Sequence, residues 1–526
     1  MTGEPVGFGN EFPKHQFGSK LPKHCCNTAI IAHIMNRRKL ILAIVSGLLL
    51  AGAMPWPGIW ALAWIGLAPL LAALRGTKAR EAAVLGLLTG LVYYGITLSW
   101  LTIFGCLPWI AVALKESAFL VVFAIFAAGL LEREARWWTY AAIPAVWTAL
   151  QWARCLGAFG FSWSSLAHTQ ANNLAIAQIA SVTGPWGIDY LVCLFSLAVA
   201  TAVSSSSGRR RFGPLWLAGG LAVAAYTGGC IAIGSAPHYE TSVRVAIIQG
   251  DLRRTVDTTL GDVRSAYETY RDMSRTAAAG GTDFIIWPET TITTNVRDTD
   301  WGLLFSDLAR STRANYIIGG YDPSPDPSVR ENYNSAFFYG RDGAKLGVYH
   351  KVRLVPYGEF VALRKQMPWL ADYGIREIDV LPARSHRLID TEIGRIGVGI
   401  CFESLFPGIA RIETLQGAAA LVFITNDSWF ERTQAARQHL MMAKLRAIEN
   451  RRYVVRGAST GISAIIDPYG RTTAELGVYK RGIVKGRIAP LRGLTPYVRF
   501  GDWFAYLCVA VSGVTLALVG RGTKRE

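Results

Sequence analysis

The chain has 526 residues, of which 51% are hydrophobic and 17% are charged, and its formal net charge is +17. This composition is too apolar for a single soluble fold, and the length is too great for one hydrophobic core. Apolar runs long enough to cross a bilayer core of about 30 Å fill the first half, whereas residues 241–490 have mixed polarity. We therefore expect a polytopic membrane protein that carries a water-facing domain.

Residues 1–34 are polar and lack the basic, apolar and cleavage-site order of a signal peptide. The stretch MNRRKL, which begins at Met35, is typical of the start of a first span. We interpret residues 1–34 as a disordered extension or a mis-called start. Residues 35–239 are then a membrane bundle of seven spans, residues 240–490 the water-facing domain, and residues 491–526 a final span with a basic tail.

Eight apolar runs predict eight membrane spans, because about 20 helical residues cross the hydrocarbon core. They lie at 40–54, 58–74, 84–104, 109–131, 139–154, 186–203, 214–233 and 503–519. The pair Lys115 and Glu116 falls in the outer half of the fourth run. We interpret it as a snorkelling pair in preference to a functional polar site.

The orientation follows from the Lys and Arg residues in the short connections, because basic residues resist translocation. Fourteen of them fall on one side: Arg37, Arg38, Lys39, Arg75, Lys78, Arg80, Arg133, Arg136, Arg209, Arg210, Arg211, Arg521, Lys524 and Arg525. The opposite connections at 55–57, 105–108 and 155–185 contain neither residue type. The water-facing domain therefore lies outside the cytoplasm, and the positive charge indicates topology and no nucleic-acid partner.

The water-facing domain reads as alternating strands and helices. Buried strands are predicted at 243–249, 284–287, 316–319, 396–400 and 421–425, and helices at 263–279 and 437–449. This alternation indicates a layered α/β domain. Such folds place their chemistry where strands end.

Cys401 is the only one of the eight cysteines inside this domain. A domain with a single cysteine cannot form an internal disulfide in an oxidising compartment, and a free thiol there is open to oxidation. A buried cysteine is often a small hydrophobic residue. Taken alone, Cys401 is therefore compatible with either packing or chemistry.

Three strand-end motifs carry the candidate site residues. The stretch FIIWPET places Glu289 after an apolar strand, YHKVRLVPYGEF contains Lys351 and Glu359, and GVGICFES contains Cys401. In isolation the first is better explained as an exposed turn and the second as a solvated basic loop. These separate interpretations do not explain why all three motifs occur together in this order.

The three motifs together resemble the nitrilase or carbon–nitrogen hydrolase superfamily, whose fold is an α-β-β-α sandwich with a Glu-Lys-Cys triad. The resemblance covers residues from Val243 to about Ile488. It implies that Cys401 is the nucleophile, that Glu289 is the base, and that Lys351 holds the oxyanion. It implies no metal and no cofactor.

Three further residues have supporting roles in this resemblance. Glu359 would position Lys351 or an incoming amine, Glu403 would be a loop residue beside the nucleophile, and the backbone N–H of Phe402 would be a second oxyanion donor. Phe402 stands where relatives often have Tyr. Any role for a hydroxyl at that position is therefore unassigned.

The spans, with the domain between the seventh and the eighth, resemble the branch of this superfamily that N-acylates bacterial apolipoproteins. That resemblance implies a multi-pass protein of the bacterial inner membrane with its catalytic domain on the periplasmic side. The acyl donor would be a membrane phospholipid, and the chain would pass through a Cys401 thioester to the amine of a diacylated lipoprotein. The alternatives are a membrane-tethered amidase or nitrilase, in which water resolves the acyl-enzyme, and a non-catalytic scaffold.

The distribution of Lys and Arg predicts the side of the membrane on which each connection lies. A reporter that is active only outside the cytoplasm should be active when fused after Pro237 and silent when fused after Gly208. The reverse pattern would overturn the assigned orientation.

Overall fold

The computed structural model describes residues 36–131, 137–204, 211–237, 239, 243–252, 259–296, 300–362, 364, 366–369 and 379–522. The interpretation of residues 1–34 as an extension or mis-called start lies outside these ranges. The described chain consists of a helical bundle up to residue 237, a domain with two sheets, and a C-terminal helix.

All eight runs predicted as spans contain helix. The bundle helices are α1 (Arg37–Ala53), α2 (Ala63–Gly66), α3 (Ala68–Ala73), α4 (Ala79–Thr97), α5 (Cys106–Leu131), α6 (Thr139–Ala153), α7 (Leu166–Thr169), α8 (Leu174–Ala177), α9 (Ala180–Thr183), α10 (Trp186–Ser204) and α11 (Gly213–Gly234). Short 3₁₀ helices lie at Trp60–Leu62 and Ser99–Phe104. Among the described helices, α5, α10 and α11 are long and apolar enough to cross a membrane.

The second predicted span differs from a continuous helix, because the 3₁₀ turn, α2 and α3 divide it into three pieces. The connection 155–185 contains the short helices α7, α8 and α9, which the hydropathy pattern did not predict. Ser165 caps α7 by accepting from the Ala167 backbone N–H at 3.1 Å. Runs this short carry no clear helical period, so they read as loop in the sequence.

The interpretation of Lys115 and Glu116 as a snorkelling pair is wrong for Glu116. The Glu116 side chain is fully buried and lies 2.8 Å from the Arg154 guanidinium, while Lys115 Nζ binds its other oxygen at 2.6 Å. Arg154 also donates to Tyr94 Oη at 3.0 Å. A buried carboxylate is stable only when it is paired in this way. The ion pair between Glu116 and Arg154 therefore joins α5 to the C-terminal end of α6.

The first sheet contains β1 (Val243–Gln249), β2 (Phe284–Ile286), β3 (Ile292–Asn295), β4 (Asn315–Pro323), β5 (Asn332–Tyr339), β6 (Lys345–His350) and β13 (Gly482–Ile488). Its order is β13-β1-β2-β4-β5-β6, with β3 on β4. Strands β1, β2 and β4 are parallel, and β13, β5 and β6 pair antiparallel with their neighbours. The predicted strand at 243–249 is confirmed with the same bounds.

The second sheet contains β7 (Ile389–Thr391), β8 (Gly394–Ile400), β9 (Ala418–Thr425), β10 (Val454–Ala458), β11 (Ser463–Ile466) and β12 (Thr472–Leu476). Its order is β12-β11-β10-β9-β8-β7, with β8, β9 and β10 parallel. The accompanying helices are α12 (Leu260–Ala279), α13 (Trp301–Thr312), α14 (Pro407–Leu415), α15 (Ala435–Asn450), α16 (Pro496–Phe500) and α17 (Trp503–Gly522).

The two sheets pack face to face, which forms the predicted α-β-β-α sandwich. On β1, Val245 and Ile247 point into the core between the sheets. Ala246 and Ile248 point to the other face and pack against α12 and α13. This alternation is the two-residue period of a strand that is buried on both faces. Helices α14 and α15 cover the second sheet in the same way.

Helix α15 is buried on both sides, because it lies between the second sheet and the bundle. Leu440 and Ala443 pack on the sheet, whereas Met442 and Leu445 belong to the apolar core of the bundle. A helix that is apolar on opposite sides has two packing partners. The apolar core of the bundle therefore extends to the bundle-facing side of α15, while the opposite side of α15 belongs to the core of the second sheet.

The contact between α11 and α8 predicts opposite effects for two adjacent glycines. A Cβ added at Gly229 would clash with the Ala175 carbonyl oxygen, whereas a Cβ at Gly228 would meet no atom within 4 Å. Gly229→Ala should destabilise the fold by about 1–3 kcal/mol through overpacking. Gly228→Ala should be neutral or stabilising, by up to about 1 kcal/mol. Thermal unfolding in detergent measures both, and equal midpoints would contradict the packing of α11 on α8.

Candidate active site

The structure brings the predicted site residues together from separate loops. Glu289 lies three residues after β2, Lys351 directly follows β6, and Cys401 directly follows β8. The Lys351 ammonium lies 3.4 Å from Glu289 Oε1 and 2.9 Å from the Glu359 carboxylate. All three of these charged side chains are buried. The arrangement is a buried ammonium between two carboxylates at the ends of the strands.

Asn334 is a member of this cluster that the sequence motifs did not identify. Its Nδ2 donates to Glu289 Oε1 at 2.7 Å and to Glu359 Oε1 at 2.9 Å, so one amide group holds both carboxylates. It lies inside β5, and its carbonyl accepts from the Lys351 backbone N–H at 2.9 Å. Only the register between β5 and the end of β6 reveals this proximity. The other Glu289 oxygen accepts from the Asn426 N–H at 2.7 Å.

Glu403 is buried with four hydrogen-bond donors around its carboxylate. Oε1 accepts from the backbone N–H groups of Val352 and Arg353 at 2.8 and 3.0 Å. Oε2 accepts from Ile400 N–H at 2.7 Å and from the Tyr349 hydroxyl at 2.9 Å. Burial raises the pKa of Glu403 to about 7, and its backbone donors act in the opposite direction. The carboxylate ties the loop after Lys351 to the end of β8.

The nucleophile candidate sits on a sharp turn between β8 and a 3₁₀ helix. Cys401 is the first residue of the helix Cys401–Leu405 and has a φ of 52°, which a non-glycine residue rarely adopts. Thr290 and Tyr357, in the loops that carry Glu289 and Glu359, also have φ values of 47° and 61°. Left-handed residues of this kind are concentrated at functional sites. Phe402 is the second residue of the helix, so its N–H has no partner within it.

The pKa of the Cys401 thiol lies above its ordinary value, chiefly because of burial. Burial raises the pKa of the Cys401 thiol and the Glu289 carboxylate raises it further, while the Lys351 ammonium lowers it. Burial lowers the pKa of Lys351, but Glu359 and Glu289 raise it more, so that it lies above its ordinary value. The site therefore presents a thiol beside a permanent ammonium. A base must remove the thiol proton before the sulfur can act as a nucleophile.

The loops that carry the site face the aromatic side chains of the bundle. Phe402 is stacked on Phe161 at 6.2 Å and packs against Phe406 at 5.1 Å. The Arg353 guanidinium lies 3.6 Å from the centre of the Phe406 ring and donates to the Gly157 carbonyl at 2.7 Å. The Phe402 side chain is thus a packing residue here.

The match of a family model defines the class of this domain. The family model described as carbon-nitrogen hydrolase matches residues 244–495. Among solved structures, Nit3 of Saccharomyces cerevisiae, described as a member of the nitrilase superfamily, is 21% identical, covers 47% of this chain and 90% of its own, and has a TM-score of 0.39. The family match includes both sheets and the loops of Glu289, Lys351 and Cys401. The sheet domain is a carbon–nitrogen hydrolase domain, as the motifs predicted.

The matches to the bundle and to the whole chain indicate a narrower family within this class. The model described as apolipoprotein N-acyltransferase N-terminal domain matches residues 46–198, in the helical bundle. An apolipoprotein N-acyltransferase of Geobacter metallireducens is 33% identical over 92% of this chain and 96% of its own length. One of Gloeobacter violaceus is 31% identical over 91% of this chain and 93% of its own. The chain belongs to the apolipoprotein N-acyltransferase family.

The Asn334 bridge predicts a specific loss of stability. Asn334→Asp is nearly isosteric but replaces the shared donor with a third carboxylate, so it should lower the midpoint of thermal unfolding in detergent. Asn334→Ala should cost about 1–3 kcal/mol, because two buried carboxylates lose a donor. Asn332→Ala, two residues away on the same strand, is the matched control. Similar midpoints for the Asn332 and Asn334 variants would argue against the bridge.

Proposed function

We propose that this protein transfers an acyl chain from a membrane phospholipid, through a thioester on Cys401, to the N-terminal amine of the diacylglyceryl cysteine of apolipoproteins. Membership of the apolipoprotein N-acyltransferase family supports the reaction class. The position of Cys401 is the observation that supports assigning the chemical steps to particular residues. It lies on a left-handed turn beside Lys351 and Glu289, and the residues that follow it, Phe402 and Leu405, belong to the apolar core of the bundle.

In the first half-reaction Glu289 removes the proton of the Cys401 thiol, and the thiolate attacks the ester carbonyl of the phospholipid. The negative charge on the carbonyl oxygen is stabilised by the Lys351 ammonium and by the backbone N–H of Phe402. The ester bond then breaks, and the leaving alkoxide takes the proton from Glu289. The products are a lysophospholipid and an acyl thioester on Cys401.

In the second half-reaction the α-amine of the lipoprotein cysteine attacks the thioester carbonyl. The same two donors hold the oxyanion, and Glu289 takes a proton from the attacking nitrogen. The carbon–sulfur bond breaks, and the Cys401 thiolate recovers the proton. The product is an amide, which is more stable than the thioester. Glu359 and Asn334 act on Lys351 and Glu289 by fixing their positions.

The membrane arrangement that goes with this reaction is also a proposal. Residues 35–239 form seven spans, residues 240–490 form the catalytic domain on the periplasmic side of the inner membrane, and residues 491–526 form the eighth span and tail. Helix at all eight predicted spans supports it. So does the orientation of the Cys401 loop toward the bundle, because both substrates are anchored by acyl chains in the bilayer.

The thioester predicts a covalent product that a single experiment can detect. Purified protein given phospholipid without acceptor should gain one acyl mass, which neutral hydroxylamine should release. Cys401→Ala should gain none, and Glu289→Gln should acylate slowly because no base forms the thiolate. Lys351→Ala should acylate about 10²- to 10³-fold more slowly for loss of an oxyanion donor. Intact-protein mass spectrometry follows all four proteins.

Two outcomes would count against this reaction. Label on Cys401→Ala at the wild-type level would remove Cys401 from the nucleophile position. Steady release of free fatty acid by the wild-type protein without an acceptor would favour the hydrolase alternative, in which water resolves the thioester.

A further inference from the structure

The peptide group between Cys401 and Phe402 accepts hydrogen bonds at its carbonyl oxygen, which has no role in the proposed reaction. The Cys401 carbonyl oxygen accepts from the Ser404 hydroxyl at 2.9 Å and lies 3.2 Å from His439 Nε2. His439 Nε2 also lies 2.7 Å from Ser404 Oγ. Both side chains are buried, Ser404 completely and His439 with 1% of its surface exposed. His439 therefore contacts the turn of the nucleophile from within the protein.

The partners of the other ring nitrogen determine where the His439 proton lies. Arg456 Nη2, which is always a donor, lies 3.1 Å from His439 Nδ1. Burial and Arg456 both lower the pKa of His439, which outweighs the opposing effect of Asp427. His439 Nδ1 also lies 3.2 Å from Asp427 Oδ1. That carboxylate already accepts from the Thr425 hydroxyl at 2.8 Å through Oδ1 and from Arg456 at 2.7 Å through Oδ2. Arg456 can only donate to Nδ1, and the Cys401 carbonyl can only accept from Nε2, so these two contacts together place the proton on Nε2.

A proton on Nε2 makes His439 a donor to the Ser404 hydroxyl and the Cys401 carbonyl. Because the peptide unit is planar, holding the carbonyl oxygen of Cys401 also sets the direction of the Phe402 N–H on its opposite side. A donor at the carbonyl oxygen also polarises the amide and strengthens its N–H as a donor. The Phe402 N–H is the second oxyanion donor of the proposed reaction.

We propose that His439 is a positioning residue for oxyanion stabilisation, because it holds and polarises the Cys401–Phe402 peptide whose N–H faces the reacting carbonyl. This inference rests on the proposed function of Cys401. It assigns His439 no contact with substrate and no exchange of protons during the reaction.

Helix α15 is held from both sides, so it presents His439 rigidly. Gln438 donates to the carbonyls of Pro55 and Thr97 in the bundle at 3.0 and 3.2 Å. Arg446 donates to the Leu405 carbonyl at the end of the 3₁₀ helix at 2.9 Å. The Trp163 ring lies 5.7 Å from the His439 ring. A group that orients a reacting atom needs this kind of fixed support.

The same side chains have the connectivity of a serine nucleophile triad, since Ser404, His439 and Asp427 follow one another in space. Ser404, however, has no exposed surface, and its hydroxyl proton is directed at the Cys401 carbonyl. A second nucleophile needs access to the substrate. The cluster is therefore a support for the Cys401 turn.

The test compares two reactions of the same sulfur in the full-length protein. Acylation by phospholipid passes through an oxyanion, whereas alkylation by iodoacetamide needs the thiolate but forms no oxyanion. His439→Leu should slow acylation by about 10- to 100-fold, the range for a misplaced reacting geometry, with the donor KM and the alkylation rate close to wild type. His439→Gln should recover much of the acylation rate, because its amide can donate from nearly the position of Nε2.

His168→Leu, which removes a buried imidazole of the bundle, is the control and should leave the ratio of acylation to alkylation unchanged. If the wild-type protein formed no thioester at Cys401, the proposed function would fail. If it did and His439→Leu acylated at the wild-type rate, only the role of His439 would be refuted. Equal losses of acylation and alkylation in His439→Leu would also overturn that role, because the defect would then concern the thiolate or the fold.

Discussion

The active end of this protein depends on one buried ammonium group. Lys351 lies between Glu289 and Glu359, and removing it would leave two carboxylates side by side away from water. Burial of charge is tolerated only when each ion keeps its partners and its hydrogen bonds. Here Asn334 and the N–H groups of Asn426 and Val355 complete the set. The loops after β2, β6 and β9 are thereby fixed around a single charge.

The Lys351 ammonium also acts on the Cys401 thiol beside it. Burial raises the pKa of the Cys401 thiol and the ammonium lowers it. In the proposed reaction the same ammonium would favour the thiolate and then the oxyanion. Glu403 stabilises this arrangement by binding the backbone of the loops. Its four hydrogen bonds hold the backbone after Lys351 against the end of β8, which fixes the positions of Cys401 and Lys351 relative to each other.

The sequence predicted the sheet domain better than the bundle, for a physical reason. Strands buried on both faces are continuous apolar runs, so β1 and the other predicted strands stand out from their polar connections. In the bundle every element is apolar, so hydropathy cannot show where a helix is interrupted, as it is near Ala63, or where short helices such as α8 lie. Glu116 was misjudged for the same reason, since its partner Arg154 is distant in sequence. Asn334 was missed because an asparagine inside a strand has no chemical signature until the register places it beside Lys351.

Helix α15 and the turn after Cys401 pack into the apolar core of the bundle, so the sheet domain depends on the bundle. Phe402, Phe406, Phe430 and Met442 are buried in the same cluster as the bundle side chains. If the catalytic domain were cut free of its helices, these side chains would form an exposed apolar face beside the reactive sulfur. Such a fragment would self-associate and lose the carbonyls that hold Gln438 and Arg353. The sheet domain is therefore not an independent unit attached to the bundle, since part of its apolar packing is supplied by the bundle helices.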